Sequence, residues 1–288
     1  MKLASNSITS RLNPVFHFYG MNDVLLNKKK IRMFKVEFFK KSRDRAYTHE
    51  EIRKILNVCD LRMKIIILLM ASSGCRVGAL PSLRLRNLEK ADNRNAYKLT
   101  IYEGSNEQYS TFCTPECASF IDDYLEHREK NGEKLTPDSF VIRDQFDITD
   151  IEQIRNRSKG ISIHTIKGIV DNVLIKAGIK TTDHTSLHNR KEVMSCHGFR
   201  KFWMTQAVSS KMNPEIREML LGHKIGLASC YYRPSEDEMF LEYEKAVDNL
   251  TIDPANRLQR KVEMLTIEKS RLDRIEEKML KMEQMYQK

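Results

Sequence analysis

Apolar residues along this chain recur mostly at helical spacing and cluster as β-formers only in one short stretch. Thr48 followed by Glu51 makes a capping box, in which each side chain satisfies a backbone N–H at a helix start, and Ile52, Ile55 and Leu56 continue at helical intervals, so a helix starts there. Met63 to Ala71 is apolar nearly all round and runs into Ser72-Ser73-Gly74, which predicts a fully buried helix with a glycine exit. Tyr97 to Tyr102 and Tyr109 to Phe112 flank Gly104-Ser105-Asn106 and predict a hairpin. Thr114-Pro115 supplies an N-cap and a first-turn proline for a helix through Ile121, Tyr124 and Leu125 to near Gly132. Residues 133 to 162 read as mixed loop, and Ile166, Val170, Val173, Leu174 and Ala177 form one helix face that stops at Gly178. Two more helices are signalled from Ser195 to Ala207 and from Asn213 to Leu221. The fold class is therefore mainly α with a small β-sheet.

The two ends differ from this middle. Residues 1 to 45 carry an aromatic patch (Phe16, Phe18, Tyr19) and then a basic run: Lys28, Lys29, Lys30, Arg32, Lys35, Lys40, Lys41, Arg43 and Arg45. The run reads as an arm or short helical subdomain; a solvated helical face is the plain interpretation, and the size of the cluster favours contact with phosphates. The main domain is expected over 46–252 and a separate C-terminal helix over 253–288. In that tail Leu258, Leu265, Leu272, Met279 and Tyr286 recur every seven residues, with Ile275 and Met282 between them, but Lys261 and Glu268 interrupt the seam. A coiled coil and a lone amphipathic helix both fit.

Composition narrows the function. The 288 residues carry a formal charge of +10, which suits a polyanionic partner such as nucleic acid or an acidic membrane. The longest apolar run, Ile65 to Ala71, is far short of the roughly 18 residues that span a bilayer, and the polar N-terminus lacks the apolar stretch of a signal peptide. An intracellular, cytoplasmic protein with no membrane span is expected. Its six scattered cysteines suggest reduced thiols; Cys113 and Cys117 come closest to a metal pair, but Pro115 lies between them and no second Cys/His pair stands at finger spacing.

The candidate chemistry lies in four places. Arg76 follows the buried helix at once; alone it would be read as a surface or capping residue. His197 and Arg200, three apart at a helix start, share a face beside N-terminal backbone N–H groups that favour an anion. Gly222 ends a helix and delivers His223, and nine residues on comes Tyr232, preceded by Tyr231. Two arginines, two histidines and a tyrosine are the groups needed to cleave a phosphodiester without metal. A phenol of pKa about 10 is a poor nucleophile, but cationic neighbours favour its phenolate and stabilise charge developing on the phosphorane oxygens.

In the motifs Gly74-Cys75-Arg76-Val77-Gly78-Ala79-Leu80 with Leu83-Arg84-Leu85 after it, His197-Gly198-Phe199-Arg200, Leu220-Leu221-Gly222-His223 and Tyr232, the chain resembles the tyrosine recombinases, or phage-type integrases, over roughly residues 46 to 250. Its ending looks most like archaeal members carried by viruses and integrated elements. The resemblance implies a tyrosine-recombinase-like catalytic domain, acting as a homo-tetramer on double-stranded DNA attachment sites, without metal or nucleotide cofactor. Arg76, Arg200 and His223 would hold the scissile phosphate, His197 would assist proton transfer, and Tyr232 would form a 3′-phosphotyrosine link, with Tyr231 as the second choice of nucleophile. The family usually places a lysine at or near the hairpin turn as general acid for the leaving 5′-oxygen; here the turn reads Glu103 to Gln108 without one, and Lys98 on the first strand is the hairpin candidate. Ala79 stands where many relatives carry an acid, and residues 1 to 45 are too few for a full core-binding domain, so they would be a remnant of one or the chain begins inside a longer product. A DNA-binding accessory protein of the same fold that has lost catalysis is the alternative. A relaxing enzyme akin to type IB topoisomerases would share the chemistry without partner exchange, and a basic RNA-binding module lacks an RNP-like aromatic motif.

Overall fold

A computed structural model describes residues 5–34, 45–91, 95–147, 149–155, 158–180, 193–224, 226 and 232–286. These fall into two compact units, residues 5–34 and the remainder. The first holds α1 (Ser5–Met21) and α2 (Lys28–Met33). Asn27 caps α2 by accepting from the Lys30 N–H at 2.9 Å, and Lys28 and Arg32 lie over the Phe16 ring at 5.9 and 6.0 Å from its centre. The two cations thus sit over Phe16, while Phe18 and Tyr19 of the aromatic patch stay exposed. Lys35, Lys40, Lys41 and Arg43 of the basic run lie outside the described residues.

The second unit begins with α3 (His49–Asn57) and α4 (Leu61–Ser73). The Thr48–Glu51 box closes in both directions, and Asp60 caps α4 through the Met63 N–H at 2.7 Å. α4 is the centre of the fold: Ile65 to Ser73 are all buried, and α5 (Pro115–Lys130), α7 (Ile163–Lys176), α8 (Ser195–Ser209) and α10 (Glu236–Leu250) pack against it. Between α4 and α5 come two 3-10 turns, Val77–Ser82 and Leu85–Asn87, and an antiparallel sheet of β1 (Leu88–Ala91), β2 (Ala96–Ile101) and β3 (Tyr109–Phe112) in that order. Leu88 faces Leu99, which faces Thr111. The predicted hairpin is β2–β3; β1 has no predicted counterpart because Leu88-Glu89-Lys90-Ala91 carries no β-former pattern and pairs only as an edge.

The stretch expected as loop contains α6 (Ile151–Arg155) and a buried ionic cluster. Glu133 accepts from Arg128 at 2.7 and 2.9 Å and from Arg143 at 2.6 Å, and all three are buried. Burial works to raise Glu133, but the two guanidiniums outweigh it and hold the carboxyl below the ordinary carboxylate range. α9 (Pro214–Leu220) follows α8, and α11 (Pro254–Tyr286) closes the chain. Glu116 on α5 receives the N–H groups of Ile252 and Asp253 at 2.7 and 2.9 Å, and Arg260 pairs with Glu244 and Asp248, which ties the start of α11 to the body. Beyond that, Leu265, Leu272, Ile275, Met279 and Met282 are exposed. Among the described residues no helix is long and apolar enough to cross a membrane.

Candidate active site

The C-terminal end of α4 carries three backbone carbonyls that the helix itself cannot satisfy. Tyr243 of α10 donates to Ser72 O at 2.8 Å, Thr111 of β3 to Ser73 O at 3.2 Å, and Arg200 of α8 to Gly74 O at 2.7 Å. Gly74 makes the exit with φ 65°, and a Cβ there would lie 2.7 Å from Leu221 and 2.9 Å from Trp203, so only glycine permits both the turn and the approach of α8 and α9. Arg76 leaves this corner in extended backbone and is exposed.

Arg200 is buried at 7% exposure, and its second guanidinium nitrogen donates to Leu221 O at 2.6 Å and lies 2.8 Å from His223 Nε2. Gly222 (φ 66°) turns the chain after α9 so that His223 meets Arg200, and the ring of Tyr109 fills the space a Cβ would need. His223 Nδ1 is 2.5 Å from Glu218 Oε2. Because a guanidinium can only donate, Nε2 accepts and the imidazole proton sits on Nδ1, directed at Glu218.

The two arginines are close enough to repel: burial lowers the Arg200 pKa, Arg76 lowers it further, and Tyr109 opposes both. Among the described residues no carboxylate pairs with either guanidinium. A buried cation without a counter-ion is costly, so this corner is built for an anion that binds from outside. Its capacity is to grip a tetrahedral phosphate through Arg76 on the open side and Arg200 on the closed side.

His197 lies one turn before Arg200 on α8 and is exposed. Tyr232 lies just before α10, half-buried, and donates its hydroxyl to Glu238 Oε1 at 2.7 Å; that bond pushes the phenol up to about 12. Lys98 on β2 reaches the same helix turn, with Nζ 2.5 Å from Glu236 and 3.0 Å from Glu89. Burial acts against its charge, but the two carboxylates outweigh it and raise its pKa, making it a weaker acid than a free lysine. The structure thus brings Arg76, Arg200 and His223 together at one corner and holds Tyr232 and Lys98 at the first turn of α10; among the described residues no hydrogen bond joins Tyr232 to the arginines or to His223. Tyr231 and Cys230 lie outside the described residues. Cys113 and Cys117 are buried free thiols.

Four residues of this region escape sequence reasoning. Tyr102 and Tyr109 read there as strand formers, and Glu218 and Glu238 are not singled out there. Their roles come from the partners that folding brings to them.

The model of the family described as "Phage integrase family" matches residues 45–238, most of the chain. Tyrosine recombinase XerA of Pyrococcus horikoshii is 28% identical over 246 residues, covering 84% of this chain and 73% of that protein. In fold the chain is similar to the Tn1549 transposon integrase in complex with transposon right end DNA, with a TM-score of 0.56 at 12% identity, covering 84% of this chain and 80% of that one. The integrase from mycobacterium phage Brujita has a TM-score of 0.51 at 15% identity, covering 81% of this chain and 68% of that one. With a helical domain around α4, a small antiparallel sheet and two arginines and a histidine gathered at its corner, the chain belongs to the phage integrase family, the tyrosine recombinases, enzymes of site-specific DNA recombination.

Proposed function

We propose that this recombinase cuts and rejoins double-stranded DNA at the attachment sites of a mobile element, integrating or excising it through a 3′-phosphotyrosine intermediate. The observation that carries the reading is the pair of guanidiniums, Arg76 and Arg200, set together without a carboxylate among the described residues, beside a His223 oriented by Arg200 and Glu218. That arrangement is complementary to a phosphodiester and more so to a phosphorane, whose extra negative charge the cations meet at no cost of reorganisation. Tyr232 attacks phosphorus, His197 takes up its proton, and the 3′-phosphate becomes linked to the enzyme. The 5′-hydroxyl of a partner strand reverses the step; bond energy is conserved in the link, so no nucleotide is consumed.

The transposon integrase of similar fold is bound to transposon right end DNA, and the net charge of +10 supplies the phosphate contacts that hold a duplex. On DNA the active form is a homo-tetramer in the cytoplasm, with α11 available to neighbouring protomers. One observation favours the accessory-protein reading: Tyr232 is bonded to Glu238, not to the arginines. In the recombinase reading DNA binding must break that bond, since the hydroxyl now points at Glu238 and has to turn to the phosphate held by the arginines.

The test is incubation of wild type and Tyr232→Phe, without metal, with a nicked duplex carrying the attachment site defined by the element's genomic ends. A protein–DNA adduct on a denaturing gel that is lost in the variant is the expected result. Retarded DNA on a native gel with no adduct from wild type would replace this reading with the accessory one.

A further inference from the structure

Breaking the P–O5′ bond leaves an alkoxide that must gain a proton, and the residues already given roles do not supply it. Both nitrogens of His223 are engaged, with Arg200 and Glu218, and Lys98 is held between Glu89 and Glu236. The β2–β3 hairpin instead brings two phenols to the arginine corner. A Cβ on Gly78, two residues beyond Arg76, would lie 3.5 Å from Tyr102 Oη, and the Tyr109 ring lies against Gly222, next to His223. The two rings meet edge-on with centres 6.4 Å apart. The Tyr109 hydroxyl is buried beside Arg200 without a properly directed hydrogen bond, so it is closed to a substrate. Tyr102 is half-buried and open on one side. It also has φ 55°, a left-handed conformation that costs a bulky residue energy and that glycine would adopt freely.

We propose that Tyr102 is the proton donor to the departing 5′-oxygen, the strained backbone after β2 being held so that its hydroxyl stands beside the phosphate gripped by Arg76 and Arg200. This rests on the recombinase reading above. As the Tyr232 Oη–P bond forms and the P–O5′ bond breaks, the Tyr102 Oη–H proton passes to O5′, giving the free 5′-hydroxyl, while the Tyr232 proton leaves to His197. The Tyr102 phenolate remains beside two guanidiniums until the reverse step or solvent returns its proton. A phenol, with a reference pKa near 10, and an ammonium, near 10.4, are acids of about equal strength, so a tyrosine can do here what a lysine would. Burial pushes Tyr102 above its ordinary value while Arg76 and Arg200 pull against it, so the hydroxyl keeps its proton at neutral pH and gives it up only to a strong base such as the departing alkoxide.

The test compares Tyr102→Phe, Lys98→Met and wild type on two nicked duplexes, one with an ordinary scissile phosphate and one in which sulfur replaces the bridging 5′-oxygen. A thiolate leaves without a proton, so loss of the acid is rescued by sulfur. The expected result is wild-type adduct on both duplexes, with Tyr102→Phe slowed about 10²- to 10⁴-fold on the ordinary one and restored to near wild-type rate on the sulfur one. DNA affinity and thermal unfolding are measured alongside. Equal loss on both duplexes, or no loss on either, overturns the proposal, and rescue of Lys98→Met but not Tyr102→Phe assigns the acid to Lys98 instead. Failure of wild type to form an adduct with either duplex would count against the recombinase reading itself.

Discussion

Arg200 has two jobs that cannot be separated by charge alone. It donates to Gly74 O and Leu221 O, which locks the end of α4 to the end of α9, and it presents the remaining positive face to the site. Arg200→Ala is therefore expected to lose adduct formation by about 10²-fold or more, as removal of a preorganised charge does. It also leaves two buried carbonyls unpaired, at about 1–3 kcal/mol each. DNA affinity should be largely kept, because lysines and arginines elsewhere supply the salt-dependent attraction. Adduct assays, gel shifts and urea unfolding of the same variant check all three; cleavage at the wild-type rate would remove Arg200 from the mechanism. The sequence places Arg200 beside a helix start, but not its depth, and depth is what makes an unpaired guanidinium informative.

The hairpin and the α9 exit show how elements position these groups. Gly222 and Gly104 both adopt left-handed backbone, at 66° and 74°, yet only Gly222 is crowded, by the Tyr109 ring, whereas nothing lies within 4 Å of the Cβ position at Gly104. Alanine at Gly104 should cost only the backbone penalty of roughly 1–2 kcal/mol. Alanine at Gly222 should cost clearly more, since Tyr109 must move, and should also slow cleavage by displacing His223. Thermal unfolding and adduct formation of the two variants give the comparison; equal effects would mean that Tyr109 yields freely. Helices with strong local signals were legible at this scale: the Thr48 box, the glycine after α4, and the Thr114-Pro115 start of α5. α10 has no predicted counterpart, although Ser235 caps it by accepting from the Glu238 N–H and its Phe240, Tyr243, Ala246, Val247 and Leu250 are buried.

At the scale of the whole unit, the cluster of Arg128, Glu133 and Arg143 ties the end of α5 to the irregular stretch around α6. Glu133 is depressed in the folded state, so the stabilisation it confers is present above the ordinary carboxylate range and is lost as pH falls through its folded value. Glu133→Gln leaves two guanidiniums buried without their counter-ion and is expected to cost about 3–5 kcal/mol at neutral pH. That difference from wild type should shrink in acid, as wild type protonates. Urea unfolding of both proteins at pH 7 and at acid pH measures it; a difference independent of pH would show that the cluster acts through packing alone.

What the sequence determined by itself was local and periodic: the buried α4, the hairpin, the capped helices, and the order of Arg76, His197, Arg200, His223 and Tyr232 along the chain. Those depend on side-chain spacing and on backbone preferences within a few residues. Only the tertiary structure decided which of these groups meet. Arg200 and His223 touch across 23 positions of sequence, Lys98 is claimed by Glu236 across 138, and the Tyr102 hydroxyl comes to lie by Gly78, two residues beyond Arg76. Such contacts are settled by which faces the buried core forces together, and a charge's partner, unlike a helix's period, leaves no trace in the residues next to it.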